Sequence, residues 1–125
     1  MIDLKTVSSA ALAYLGDSVI EVLVREHLVA KGISSSAHLN SEALTFVRAS
    51  AQAEAMKNIA DLLTEEEDAA FRRGRNMGHT STPKSASVSE YRTATGMEAL
   101  FGWLHLSGKN ERMHELFAIA YRLNS

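Results

Sequence analysis

From Ala10 onward, apolar residues recur at three- and four-residue spacing through most of the chain, the pattern of helices packed on a shared core. Five helical segments are predicted. The first runs from about Ala10 to Ala30 and stops at Lys31-Gly32, a basic last turn followed by glycine. A second follows Ser34-Ser35-Ser36 and continues to about Ile59. A third opens at Thr64, which stands at capping-box spacing from Glu67, and reaches about Arg73. The loop GRNMGHTSTPKSAS then leads to a second such pair, Ser87 with Glu90, opening a helix that reaches Leu106 and stops at Gly108. Asn110 is expected to cap the last helix, whose apolar stripe is Met113, Leu116, Phe117 and Ala120. Proline occurs once, at Pro83, β-branched runs are short, and no repeat is visible. The expected fold is all-α, one domain over residues 1–125 with about five main helices.

Two of these helices carry unusually narrow polar strips. In the first, Leu12, Leu15, Val19, Ile20, Val22, Leu23, Val24 and Leu28 cover nearly the whole circumference. The polar residues Asp17, Ser18, Glu21 and Arg25 gather on one side. In TGMEALFGWLHL the strip is Thr95, Glu98, Gly102 and His105. A helix apolar almost all round belongs at the centre of a core, so an isolated acid on it faces a cleft or a gap to solvent. Packed side by side, the two helices bring Asp17 and Glu98 together. Converging carboxylates in a partly dry cleft repel, and they bind protons or a cation. Mg²⁺ suits such a site, as a hard ion taking one or two carboxylates plus waters. The same pattern also allows a purely structural arrangement. In it Glu21 pairs with Arg25, Glu98 bonds a backbone or basic group, and Asp17 faces water.

Composition narrows the setting. Nearly half of the 125 residues are hydrophobic, which excludes a disordered chain. The absence of cysteine excludes disulfides and thiolate metal sites. MIDLKTVSSA does not read as a secretory signal, and no apolar run approaches the roughly 20 residues of a membrane span. The expected setting is the cytosol, away from membranes.

A net charge of −2 does not announce a nucleic-acid partner, so any such signal is local. It lies between Arg72 and Arg92, where Arg72, Arg73, Arg75, Lys84 and Arg92 stand against Glu90 alone. Arginines mixed with Gly, Ser, Thr and Asn76 suit phosphate oxygens. The plainer reading is a solvated loop balancing the acidic run Glu65-Glu66-Glu67-Asp68. The five histidines show no zinc spacing, and His105 shares the strip of Glu98.

These stretches meet in one family. LAYLGDSVIEVLVREHL resembles the signature helix of the ribonuclease III family, and YRTATGMEALFGWLHL resembles its second acidic helix. The intervening TEEEDAAFRRGRN and RGRNMGHTSTPK resemble its small bacterial branch, Mini-ribonuclease III. The resemblance implies an all-α, homodimeric endoribonuclease that cuts double-stranded RNA with Mg²⁺, Mn²⁺ being a reasonable substitute. Each subunit would cut one strand, leaving a 5′-phosphate and a 3′-hydroxyl. It further implies maturation of large-subunit (23S) ribosomal RNA precursor, without the separate double-stranded-RNA-binding domain of larger relatives.

Carried over by position, the family's aspartate falls on Asp17 and its glutamate on Glu98, as catalytic and metal-holding residues. Two further acids of larger members fall on Ala13 and Thr95, a departure the small branch shares. Glu21, one turn from Asp17, is a candidate acceptor for a metal-bound water. Arg72, Arg73, Arg75, Asn76 and Lys84 are the candidate RNA-binding residues. Loss of two acids also leaves open a catalytically inactive, dimeric RNA-binding or ribosome-associated module.

Overall fold

A computed structural model describes residues 2–78 and 87–123. The described residues form six α-helices and no strand: α1 (Ser9–Ala30), α2 (Ser36–Val47), α3 (Ala49–Ile59), α4 (Glu65–Arg75), α5 (Val88–Leu106) and α6 (Asn110–Ala120). A single 3₁₀ turn, Ala60–Leu62, joins α3 to α4. The fold is all-α, as the apolar spacing predicts.

The helix starts follow from side-chain chemistry. The Ser8 hydroxyl accepts from the Ala11 amide at 3.0 Å, and that of Ser35 from the His38 amide at 3.2 Å. Both predicted capping boxes form, at Thr64–Glu67 and Ser87–Glu90. Asn110 does not cap α6. It is the first helical residue, Lys109 holds the cap position, and no side chain closes the cap. The cause is the tight exit from α5: Gly108 takes a left-handed φ of +70° and the Lys109 amide bonds back to the Leu104 carbonyl at 3.0 Å. α6 therefore starts one residue after the turn, with the Lys109 ammonium 5.0 Å over the Trp103 ring.

The predicted second helix is two helices. Arg48 is extended, with ψ 150°, and separates α2 from α3. Neither Gly nor Pro marks the break. The carbonyls it frees find partners elsewhere. The Tyr121 hydroxyl donates to the Phe46 carbonyl at 2.8 Å, and the Gln52 amide donates to the Val47 carbonyl at 3.0 Å.

α5 is the central helix, packed against α1, α4 and α3. Met97, Leu100, Phe101 and Leu104 on it are fully buried, as are Leu12, Ile20, Val24 and Leu28 on α1. The crossing of α1 and α5 is a mutual glycine contact. A Cβ on Gly16 would lie 1.6 Å from the Glu98 carbonyl oxygen, and one on Gly102 would lie 2.1 Å from the Leu12 carbonyl oxygen. Only backbone fits between these helices.

A buried ion pair fastens α6 to α4. Glu67 is 2% exposed and takes Arg112 in a two-pronged grip, both bonds at 2.9 Å, while Arg112 also donates to the Leu62 carbonyl at 2.7 Å. The Arg112 hydrogen bond holds the Glu67 carboxyl below the usual carboxylate range, against the opposing effect of burial.

Candidate active site

The glycine crossing determines which side chains meet. Because α1 and α5 touch through backbone at Gly16 and Glu98, Asp17 and the Glu98 side chain are brought together at the edge of the contact. Their carboxyls come close enough to share a hydrogen bond. Asp17 is exposed and Glu98 half-buried, so the pair sits at the solvent edge of the crossing. Burial foremost, then the charge of Asp17 and the bond between them, pushes the Glu98 carboxyl up to about 8. At neutral pH Glu98 therefore retains a proton, in a place where a cation would relieve the same repulsion.

Among the described residues no group of three or more His, Asp or Glu is arranged to hold a metal. The pair offers two hard oxygen donors that compete for a proton and are open to solvent on one side. That donor set fits Mg²⁺, which keeps several waters and takes one or two carboxylates.

The neighbouring positions add no further acid. Ala13 is buried, and the Thr95 hydroxyl donates back to the Tyr91 carbonyl of its own helix at 3.0 Å. Glu21 accepts from Arg25 one turn along at 3.3 Å, the structural pairing that the sequence also allowed. Among the described residues Glu98 meets neither a backbone donor nor a basic group; its partner is Asp17. His105 is exposed and lines a groove with Leu15, Val22 and Met113.

The basic stretch divides. Arg72 is exposed and pairs with Asp68 at 2.8 Å. Arg75 is exposed, donates to the Asn76 side chain at 3.1 Å and lies 5.5 Å over the Phe71 ring. Arg73 is different. Its guanidinium donates to the Ser9 hydroxyl at 3.2 Å and to the Val7 carbonyl, tying α4 to the segment that leads into α1. Arg72 and Arg75 are exposed, whereas the Arg73 side chain therefore has partners within the protein. The signal for it was available in the sequence: Arg73 adjoins Gly74 and follows Ala70 by three, and both are on the buried face of α4. Lys84 lies outside the described residues.

Residues 10–109 match the Ribonuclease III domain family. The Mini-ribonuclease 3 of Thermoanaerobacter sp. (strain X514) is 42% identical over 118 residues, covering 94% of this chain and 83% of that protein. The Mini-ribonuclease 3 of Streptococcus pneumoniae is 38% identical over 118 residues, covering 93% and 92%. A crystal structure of a Fusobacterium nucleatum protein superposes with a TM-score of 0.86 at 30% identity, covering 98% of both chains.

Proposed function

The chain belongs to the ribonuclease III family, in its Mini-ribonuclease 3 branch, and on that premise we propose that it is a Mg²⁺-dependent endoribonuclease that cuts double-stranded RNA at Asp17 and Glu98. The natural substrate in this reading is large-subunit (23S) ribosomal RNA precursor, cut in the cytosol to leave a 5′-phosphate and a 3′-hydroxyl. The observation that carries it is the convergence of two carboxylates, one exposed and one half-buried, at a crossing built from Gly16 and Gly102.

Asp17 and Glu98 would hold the Mg²⁺, which when bound supplies charge neutralisation at the scissile phosphate and a lowered pKa for an attacking water. To serve as a ligand, Glu98 would have to release its proton. Rigid α1 and α5 fix both carboxyls, so their separation is set before RNA arrives. Glu21 holds Arg25 and leaves the strip of Asp17 with a second acid one turn away, within reach of a water in the site. Arg72, Arg75 and Asn76 present donors to the RNA backbone, joined by Lys84. Arg73 supports them by fastening the end of α4.

The homodimer of this reading uses the outer face of α1. Tyr14 is 84% exposed and Val22 55% exposed, eight residues apart on one face, beside a mostly apolar groove of about 450 Å³. Large apolar and aromatic side chains this exposed beside an apolar groove suit cover by a second subunit.

The second reading, an inactive binding module, is favoured by Ala13 and Thr95 standing where larger relatives carry acids. The deciding experiment is cleavage of an end-labelled RNA duplex by wild type and Glu98→Gln, with and without Mg²⁺. Cleavage is expected from wild type alone, and only with the ion. A gel shift without cleavage in any lane establishes the inactive module and overturns the nuclease.

A further inference from the structure

Between the end of α4 and the first turns of α5 lies a groove of about 440 Å³, lined by Arg75, Asn76, Val88, Ser89, Arg92 and Thr93. Its polar lining is rich in donors, and its two charges are both positive. Arg75 is held by neutral groups, the Asn76 side chain and the Phe71 ring, so its charge is not spent. Arg92 is exposed and makes no hydrogen bond or ion pair with any other described residue. The acids nearest in sequence are engaged elsewhere. Glu90 accepts from the Ser87 amide at 3.0 Å, and Asp68 pairs with Arg72 at 2.8 Å. Two guanidiniums carried by different helices therefore face one groove with no carboxylate between them. Like charges held in proximity without a counterion destabilise the free protein and favour a bound anion.

We propose that Arg92 acts with Arg75 as a clamp for one backbone phosphate of the RNA, positioning the strand that passes Asp17 and Glu98. The inference rests on the ribonuclease reading and adds to it a positioning residue and a place. Arg92 precedes Glu98 by six residues on the same helix, which puts the clamp about 9 Å along the α5 axis from the carboxylate pair. A rigid helix then fixes the distance between the gripped phosphate and the site of cleavage. The planar fork of Arg suits two phosphate oxygens at once, and the groove offers no base-reading geometry, so the contact is indifferent to sequence.

The test compares Arg92→Gln, Arg92→Lys and a distant charge control, Lys57→Gln on α3, using duplex RNA. For Arg92→Gln, KM is expected to rise about tenfold with kcat within about twofold of wild type. The slope of log affinity against log salt should fall by about 1. Arg92→Lys should restore the slope and only part of the KM. A scan of single neutral methylphosphonates through the duplex should find one position that weakens wild type and leaves Arg92→Gln unchanged. If Arg92→Gln matches Lys57→Gln in KM and slope, or if no position shows that loss of effect, the clamp is refuted while the nuclease stands. A loss confined to kcat also refutes it. Wild-type protein that neither binds nor cuts the duplex overturns both readings. Arg92 is exposed, so a thermal melt matching wild type is expected and separates misfolding from loss of contact.

Discussion

Glu98 is the residue whose chemistry departs furthest from its ordinary behaviour, and its sign is definite. Its carboxyl is raised from 4.5 to about 8, so between those values the folded protein holds a proton that the unfolded chain has released. Stability contributed by protonated Glu98 is complete below 4.5 and is lost as pH rises toward 8. Metal-free protein should therefore melt lower at pH 8.5 than at pH 5.5, and Glu98→Gln should flatten that difference, as read by thermal melts in chelator. Metal uptake has the opposite dependence: Mg²⁺ must displace the proton, so its affinity should rise across the same window with proton release visible by calorimetry in two buffers. A pH-independent Mg²⁺ affinity would remove Glu98 from the site. The meeting of Asp17 and Glu98 was legible in the sequence because each is an acid on the narrow polar strip of a mostly apolar helix. The bond from Arg73 to Ser9 was not read, because charge suggested a partner outside the protein while its place beside the buried Ala70 and Gly74 pointed inward.

At the level of elements, the starts of α1, α2, α4 and α5 could be read directly, because side-chain caps and apolar stripes are local signals. The α2–α3 break could not, because the groups that satisfy it are distant: Tyr121 reaches the Phe46 carbonyl from 75 residues away. The Glu67–Arg112 pair is hidden for the same reason, being 45 residues apart. Its removal has a predictable cost. Arg112→Ala leaves a 2% exposed carboxylate without its cation and should destabilise by about 3 kcal/mol in urea unfolding. The crossing of α1 and α5 makes a sharper prediction. In Gly16→Ala the new methyl would meet a carbonyl oxygen at 1.6 Å, which only separation of the helices relieves. Overpacking of this kind costs about 1–3 kcal/mol or more, and the separation pulls Asp17 away from Glu98. Cleavage should fall far more than stability, whereas Gly78→Ala, which meets no described residue within 4 Å, should change neither. Equal activity in the two variants would detach the crossing from the site.

The whole molecule has to bind a long, stiff, uniformly charged duplex with a small number of surface donors and a net charge of −2. One subunit offers few phosphate contacts, so binding by a single copy should be weak and steeply dependent on salt. Two copies joined through α1 would double those contacts along one duplex and bring two carboxylate pairs to it, one for each strand. The gain is one of effective concentration and needs no new contact within a subunit. Tyr14 separates this assembly from the fold, because at 84% exposure it contributes little to the core of its own chain. Tyr14→Asp places a charge in the proposed apolar interface and should yield a monomer by sedimentation with unchanged helicity. If two-handed binding supplies the affinity, that monomer should also cut duplex RNA at least about tenfold more slowly at low substrate, with its salt slope roughly halved. A Tyr14→Asp protein that sediments and cuts as wild type does would mean that the dimer, if one forms, uses a different face.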